Sequence, residues 1–246
     1  MLRSVPERGG GDADEPHRRD ACVLGLCEGN GFILREDGEA VPCDCRDGLI
    51  GRGVSRGMGT GIPKRFQGVS FDRKPICDLD PFVLRHVRGF VEQIDANVRA
   101  GRGIWFTGDV GTGKTSLAML VSRAAEKRGR SVAIYPVTRL LADIRATYDR
   151  DTAGSYVSLF QKLVSVDLLH LDDLGAEKRT DWVLQELYSI VNERWQDERS
   201  IVVTTNILDL DELRTQIGAR TVSRLVEICG NPIPIMGPDL RLTSAG

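Results

Sequence analysis

The stretch at residues 108–116 reads GDVGTGKTS, and this stretch decides the fold. It fits the phosphate-binding loop pattern G-x-x-x-x-G-K-[ST], with the apolar run GIWFT (103–107) before it and the helical pattern SLAMLVSRAAEKRG (116–129) after it. In a strand, loop and helix of this kind, backbone N–H groups and the positive end of the helix dipole face the phosphates of a nucleotide. The residues predicted to bind it are Gly108, Asp109, Val110, Gly111, Thr112, Gly113, Lys114, Thr115 and Ser116.

Two residues of this loop and two acidic residues further on predict a magnesium nucleotide as the ligand. Lys114 is expected to neutralise β- and γ-phosphate oxygens, and the hydroxyl of Thr115 is placed to bind Mg²⁺. A second element must hold the metal and the attacking water, and the strand VDLLHLDDLG supplies two adjacent carboxylates. Asp172 is predicted to bind Mg²⁺, mostly through its water shell, and Asp173 to orient or deprotonate the water. A solvated turn is the alternative interpretation.

His170 lies inside the same strand and is predicted to be a packed residue rather than a ligand. The next strand, SIVVTTN, ends in Asn206, whose amide can sense the γ-phosphate or position water. A strand-end asparagine without a function is the alternative.

Two arginines follow in the segment GARTVSRLVEICG. Arg220 and Arg224 are four residues apart and therefore share one helix face. Neither has an obvious partner within its own segment, so either can reach the triphosphate of a neighbouring subunit as an arginine finger. A solvated basic face explains the same spacing.

Apolar runs and helical patterns alternate along the main part of the chain. The runs GIWFT, SVAIYPV, VDLLHL, SIVVTT and NPIPIM predict strands. A helix is expected from the cap Asp80 and Pro81 up to Gly101. Further helices are predicted near 114–129, 137–148, 156–165, 180–197 and 219–229. This alternation indicates an α/β fold, a parallel sheet covered by helices.

Length and charge limit the remaining possibilities. The 246 residues suit one main domain and a small appendage, and the net charge of −2 means that any contact with nucleic acid must rest on local patches. Residues 1–20 are charged and glycine-rich without an apolar run, which predicts a disordered arm and excludes a secretory signal. No later run approaches the length of a membrane span, so we expect a cytoplasmic protein without membrane contact.

Four cysteines near the N-terminus predict a zinc site. Cys22, Cys27, Cys43 and Cys45 form a complete set of the four thiolates that zinc prefers. The turn dipeptide in GFILREDGEAVP predicts a hairpin that brings the two pairs together. Paired zinc cysteines usually flank two to four residues; Cys22 and Cys27 flank four, but Cys43 and Cys45 flank only one. Reduced thiols that bind no metal are therefore the alternative. His17 is a spare ligand.

These features divide the chain into four parts. The predicted parts are a disordered arm (1–20), a cysteine-rich zinc hairpin (21–46), a flexible linker rich in glycine and arginine (47–63), and the main domain (64–246).

The motifs GDVGTGKT, HLDDLG, VVTTN and GARTVSRL, in this order and spacing, resemble the AAA+ ATPases of the DnaC, DnaI and IstB group. IPKRF, NERW and GPDLR add to the resemblance, which covers roughly residues 62–241. The group comprises bacterial replicative-helicase loaders and transposase-partner ATPases. The resemblance implies a three-layer α/β/α P-loop fold with a five-stranded parallel sheet in the order 5-1-4-3-2.

The resemblance also implies partners. It implies self-association through the ATP site, and binding of single-stranded DNA together with a hexameric, DnaB-like replicative helicase. An N-terminal zinc unit contacts the helicase in the loaders that this chain resembles, so the cysteine module is expected to dock the partner.

By the same resemblance, Lys114 and Thr115 bind ATP and Mg²⁺ and Asp172 is the metal carboxylate. Asn206 is the sensor, and Arg220 is the finger that acts in trans. Arg224 is the second candidate for that finger.

Two departures from the group change the expectations. Many AAA+ proteins have glutamate where this chain has Asp173, whose shorter arm predicts slow hydrolysis. Ten residues follow NPIPIM, too few for a C-terminal helical lid, so no sensor arginine from a lid is expected. Arg241 is a candidate to take its place.

Four functions are compatible with these residues. A helicase loader is favoured through the resemblance, and an IstB-like transposase partner that assembles on duplex DNA shares its ATP site. A small-molecule kinase needs a closing lid, for which no segment is found, and a nucleotide-gated adaptor with negligible hydrolysis is compatible with Asp173. Lys64, Arg65 and the linker arginines are candidates for DNA contact, and a merely solvated basic linker explains them equally.

Overall fold

The computed structural model of the protein describes two compact units, Met1–Arg46 and Asp47–Gly246. The residues described are 22, 26, 27, 30–43, 46, 61–148 and 153–240. The predicted arm at 1–20 and most of the predicted linker at 47–63 lie outside them.

The first unit contains the predicted hairpin. Strands β1 (Phe32–Leu34) and β2 (Ala40–Pro42) pair antiparallel. Gly38 closes the turn with a positive φ of 83°, and the N–H of Glu39 donates to the carboxylate of Asp37 at 2.9 Å. The turn therefore forms at the dipeptide that the sequence indicated.

The second unit is built on a parallel sheet of five strands. The strands are β3 (Ile104–Thr107), β4 (Val132–Pro136), β5 (Leu168–Asp172), β6 (Ser200–Thr205) and β7 (Ile233–Pro234). They lie side by side in the order β4-β5-β6-β3-β7, and each neighbouring pair is parallel. If the five strands of this sheet, β3 to β7, are numbered 1 to 5, the order read from the β7 edge is 5-1-4-3-2. This is the order that the resemblance implied.

Eight α-helices flank this sheet in the described part of the second unit, which also has two short 3₁₀ helices, Lys64–Phe66 and Ile76–Asp78. The α-helices are α1 (Pro81–Glu92), α2 (Ile94–Arg99), α3 (Lys114–Lys127), α4 (Val137–Tyr148), α5 (Ala153–Ser165), α6 (Asp181–Gln196), α7 (Leu210–Ile217) and α8 (Ala219–Cys229). None of them combines the length and apolar character that crossing a bilayer requires.

The helices differ from the sequence predictions in three places. The helix expected between Asp80 and Gly101 is divided into α1 and α2 at Gln93, whose backbone leaves the helical region at φ −99° and ψ 20°. Helix α5 begins three residues earlier than predicted. Helix α7 was not predicted, because its eight residues carry few apolar side chains; the carboxylate of Asp209 caps its N-terminus.

The sheet is buried on both faces, so the unit has three layers. Leu168 points into an apolar cluster with helices α1 to α3, and Leu169 points into the cluster with helices α4 to α8. Side chains alternate between faces along a strand, and both faces are apolar here, as is typical of parallel sheets. The predicted α/β/α architecture is confirmed.

Arg194 of the NERW motif is a structural residue. Its side chain is fully buried, and its guanidinium donates to the backbone oxygens of Leu163 (2.7 Å), Val166 (2.9 Å) and Ser200 (2.6 Å). It thereby satisfies carbonyls at the end of α5 and at the start of β6, which fixes the spacing of these elements behind the site.

Candidate nucleotide-binding site

The predicted site residues meet at the carboxyl edge of the sheet. Strand β3 ends at Thr107 and is followed directly by Gly108, β5 ends at Asp172, and Asn206 follows the last residue of β6. Parallel strands place their carboxyl ends at one edge, which is where ligands bind in α/β folds. Three segments far apart in the sequence therefore converge.

Lys114, the first residue of α3, is held inside the phosphate loop. Its side chain is 6% exposed, and Nζ donates to the carbonyl oxygens of Gly108 at 2.7 Å and Asp109 at 2.6 Å. The hydroxyl of Thr112 also donates to the oxygen of Asp109, at 2.9 Å. A buried ammonium at a helix N-terminus suits a phosphate group, whose charged oxygens accept more strongly than carbonyl groups do.

Asp172 accepts two hydrogen bonds at one carboxylate oxygen. The hydroxyl of Thr115 donates to Oδ1 at 3.0 Å, and the hydroxyl of Thr204 donates to the same atom at 2.7 Å. Burial raises the pKa of the Asp172 carboxyl, but His170, Thr204 and Thr115 lower it by more, so the net pKa lies below its usual value. A threonine hydroxyl beside an ionised carboxylate is a donor set that fits Mg²⁺.

Asp173 and Asn206 are in direct contact. The side-chain amide of Asn206 donates to Oδ1 of Asp173 at 2.6 Å, and the backbone N–H of Asp173 donates to the hydroxyl of Thr204 at 2.8 Å. Asp173 has a positive φ of 60°, which turns its exposed carboxylate away from the strand. The candidate base and the candidate sensor therefore lie side by side.

The two candidate arginine fingers differ in their surroundings. Arg220 lies exposed in the first turn of α8. Arg224 donates to Oε1 of Glu227 at 2.9 Å and stacks over the ring of Trp195 at 3.5 Å from its centroid. The expectation that neither arginine has a partner in its own segment is therefore wrong for Arg224, because Glu227 lies one helical turn away. Neither arginine takes part in the hydrogen bonds around Asp172.

Residues 75–226 match the family model of the IstB-like ATP binding protein, which is well over half of the chain. The chain belongs to this family. The resemblance drawn from the sequence motifs is thereby confirmed.

Several relatives of this IstB-like protein are named replicative helicase loaders. DnaC of Escherichia coli (strain K12) is 28% identical over 167 residues, which cover 68% of this chain and 66% of that loader, slightly less than two thirds. A crystal structure of the DnaC helicase loader has a TM-score of 0.60 at 25% identity and covers 71% of this chain and 100% of that one. A crystal structure of DnaI, with a TM-score of 0.53 at 22% identity, covers 77% of this chain and 93% of that one and supports the fold alone.

The IstB-like unit also contains a contact that the sequence analysis missed, between its C-terminal segment and the phosphate loop. The N–H of Ile235 donates to the oxygen of Thr107 at 2.7 Å, and that of Leu240 to the oxygen of Gly111 at 3.1 Å. Gly111 has a positive φ of 82°, and a Cβ there would collide with the carboxylate of Asp239. The positive φ favours glycine at this position, and the absence of a side chain lets the carboxylate of Asp239 lie against the loop.

The segment after β7 lies against the phosphate loop, and it does so without forming the helical lid that the sequence was expected to lack. Among the described residues after β7, up to position 240, no helical bundle forms. GPDLR is the part of the sequence that contains this contact, through Asp239 and Leu240. Arg241 lies outside the described residues.

Thr204 and Glu177 are two further residues that the sequence analysis missed. Thr204 contacts both Asp172 and Asp173. The signal in the sequence is the polar pair of threonines at the end of the run VVTTN, which lies in β6 beside the end of β5. Glu177 is 6% exposed and accepts from the N–H of Gly175 at 3.0 Å. Its backbone oxygen accepts from Gln216 at 2.6 Å, which ties the loop after Asp173 to α7.

Three of the four predicted zinc ligands lie together in the first unit. The Sγ atoms of Cys22, Cys27 and Cys43 lie within 4.8 Å of one another, and those of Cys22 and Cys43 are 3.8 Å apart. Four thiolates at the usual Zn–S distance in a tetrahedron are separated by about 3.8 Å, so this spacing fits zinc. Cys45, the fourth predicted ligand, lies outside the described residues.

Proposed function

We propose that this protein binds ATP with Mg²⁺, hydrolyses it slowly and loads a hexameric replicative helicase onto single-stranded DNA. One observation carries the nucleotide chemistry: Thr115 of the phosphate loop and Thr204 of β6 share one oxygen of Asp172, beside the buried Lys114. The likeness to loaders named DnaC supports the choice of helicase loading among the functions that such a site permits.

In this proposal the loop binds and the two strand ends act on the γ-phosphate. Lys114 exchanges its carbonyl acceptors for β- and γ-phosphate oxygens, and the loop glycines let backbone N–H groups approach the same phosphates. Thr115 and Asp172 would hold Mg²⁺, and the ion, when bound, would supply neutralisation of the charge on the phosphate oxygens.

Asp173 positions the attacking water, and Asn206 orients Asp173 through the bond of 2.6 Å. Aspartate is one methylene shorter than glutamate, so water is held less well above the γ-phosphate. This is the physical basis of the slow hydrolysis that we propose.

The exposed position of Arg220 suits a role between subunits. In a single chain this guanidinium faces solvent, whereas a finger that acts in trans completes the ATP site of a neighbour and stabilises the charge of its transition state. Arg224 is the weaker candidate, because its ion pair with Glu227 and its contact with Trp195 already occupy it. We therefore propose self-association through the ATP site, with Arg220 as the finger.

The cysteine unit is proposed as the part that docks the helicase. Zinc bound by Cys22, Cys27, Cys43 and Cys45 would fix the short hairpin, which is too small to build a core of its own. For DNA, Lys64 and Arg65 are candidates for phosphate contact.

Complex formation tests the proposal. The purified protein is mixed with a DnaB-like helicase from the same host, and the mass of the complex is measured by light-scattering chromatography with and without ATP and Mg²⁺. A defined complex that depends on the nucleotide supports the loader. Absence of any complex in either condition counts against it.

Two alternatives share the ATP site. The family name supports an IstB-like transposase-partner ATPase, which would assemble on duplex DNA with ATP and without a helicase. The short arm of Asp173 supports a nucleotide-gated adaptor with negligible hydrolysis. Electron microscopy of ATP-dependent filaments on duplex DNA identifies the first, and complex formation without any measurable turnover identifies the second.

A further inference from the structure

A buried histidine lies behind the carboxylate assigned to magnesium. His170 precedes Asp172 by two residues in β5, and because side chains alternate along a strand, both project from the same face of the sheet. His170 is fully buried. Its Nδ1 lies 3.0 Å from the hydroxyl oxygen of Ser122, and its Nε2 lies 3.8 Å from Oδ1 of Asp172.

The histidine joins the helix of the phosphate loop to the metal carboxylate. Ser122 is fully buried in α3, two turns after Thr115, and Thr115 itself donates to Oδ1 of Asp172. Thr115 therefore contacts the carboxylate directly, and Ser122 contacts the histidine that faces it at 3.8 Å. This arrangement connects α3 with β5 at two points.

Packing alone does not explain a histidine at this position. Its neighbours in register are Ile134 of β4 and Val202 of β6, which belong to the apolar cluster beneath α3. The Nε2 atom is buried without a hydrogen-bond partner among the described residues, and such an atom destabilises the fold relative to an apolar side chain. Leucine would remove the penalty at Nε2, and the cost would then fall on the buried Ser122 hydroxyl, which loses its ring partner.

Ser122, His170 and Asp172 follow one another like a catalytic triad, but Ser122 is not a nucleophile. A nucleophilic serine must reach its substrate, whereas Ser122 has no solvent exposure. The group that faces the exposed end of this row is the carboxylate of Asp172, so the histidine can act only through that carboxylate.

We propose that His170 is a positioning residue that holds Asp172 in the orientation for Mg²⁺, with its ring proton on Nε2. At 3.8 Å the contact between Nε2 and Oδ1 is longer than a direct hydrogen bond, and the attraction is electrostatic: the ring nitrogen that faces a carboxylate, which only accepts, carries the proton. Nδ1 then accepts from the hydroxyl of Ser122, which fixes the ring. Groups behind a metal ligand orient it and tune its affinity for the metal. The inference rests on the proposed role of Asp172 as the magnesium carboxylate.

Magnesium coupling of nucleotide binding tests this role. ATP is titrated into the full chain by calorimetry with Mg²⁺ and with EDTA, and the ratio of the two affinities is compared between variants. His170→Leu is expected to reduce this ratio about tenfold, and His170→Gln, which keeps an amide donor near the position of Nε2, to restore part of the loss. Affinity without Mg²⁺ is expected to stay unchanged.

A matched control separates orientation from packing. Val202→Ala alters the same layer of the sheet, beside His170, without removing a polar group. It is expected to lower the melting temperature and to leave the magnesium ratio unchanged. His170→Leu is expected to lower the magnesium ratio with little change in melting temperature, because it removes the unpartnered Nε2 but also takes the ring partner from the buried Ser122 hydroxyl.

The tautomer is a second, independent readout. The chain has three histidines, so long-range ¹⁵N–¹H correlations resolve His170 by comparison with the His170→Gln spectrum. A proton on Nε2 is expected, and a ring protonated only on Nδ1 overturns the proposal. So does a wild-type magnesium ratio in His170→Leu.

Asp172→Asn distinguishes a failure of the proposed metal site from a failure of the proposed role of His170. If this variant also keeps the wild-type ratio, Asp172 does not bind the metal and the proposed site fails together with the inference. If the ratio of affinities with Mg²⁺ and with EDTA falls in Asp172→Asn but stays at the wild-type value in His170→Leu, only the role of His170 is refuted.

Discussion

Thr204 contacts both acidic residues of the candidate site, so replacing it by valine tests how they are held. Its hydroxyl donates to Oδ1 of Asp172 at 2.7 Å and accepts from the N–H of Asp173 at 2.8 Å. Valine has nearly the same shape, and Thr204 is 1% exposed, so the substitution removes the hydrogen bonds without opening a cavity.

The expected loss follows from the charge on the acceptor. A hydrogen bond to an ionised group contributes about 1.5–3 kcal/mol. Each 1.36 kcal/mol of transition-state stabilisation is tenfold in rate, so Thr204→Val is expected to lower kcat/KM for the magnesium complex of ATP roughly 10- to 150-fold. Binding of ATP in EDTA is expected to change little, since the loop and Lys114 remain intact.

The assay is phosphate release by the assembled protein over a range of Mg²⁺ concentrations. Thr205→Val is the matched control, because the neighbouring hydroxyl donates to the backbone oxygen of Leu174 at 2.6 Å and not to Asp172. The control is expected to cost about 1 kcal/mol of the free energy of unfolding without a comparable loss of turnover. Equal turnover losses in the two variants refute the reasoning, because the loss would then come from a disturbance of β6 and not from the missing hydrogen bond to Asp172.

Four further predictions test other parts of the account. Arg220→Ala is expected to lower turnover in the assembled complex by about 10³-fold or more and to leave ATP binding by the single chain unchanged; unaffected turnover rules out the finger. Asp173→Glu is expected to raise the single-turnover rate about tenfold, and a slower variant means that arm length is not the limit. Arg194→Met is expected to lower the free energy of unfolding by about 3 kcal/mol or more, measured by urea denaturation, because it strands several buried carbonyls; a loss below about 1 kcal/mol contradicts that role. Anaerobically purified protein is expected to hold about one zinc per chain by mass spectrometry, and Cys43→Ser to lose it; a ratio near zero in the wild type removes zinc from the proposal.

The sequence predicted the phosphate loop and the sheet well, because both depend on local patterns. GDVGTGKTS specifies a turn between a strand and a helix by its glycines alone, and each buried strand is a short apolar run with a helical pattern on either side. The positions of Asp172 and Asn206 at one edge follow from the parallel arrangement.

The residues that the sequence did not identify make contacts between segments that are distant in the chain. Thr204 has its effect because β6 lies beside β5, and Asp239 because the segment after β7 returns to Gly111. Arg224 is a mixed case: its pair with Glu227, three residues on, was readable from the helical spacing and was overlooked, whereas its stacking partner Trp195 lies on another helix. No local pattern reports such a pairing, since it depends on how the helices pack on the finished sheet.

Helicase loading is the central claim, and transfer of the ring to DNA tests it most directly. A DnaB-like helicase from the same host is incubated with circular single-stranded DNA, ATP and Mg²⁺, and helicase that stays with the DNA after gel filtration is quantified. We expect stable helicase on the circles with the wild-type protein, and only background with Lys114→Ala or without the protein. The same amount of bound helicase in all three reactions would contradict the account.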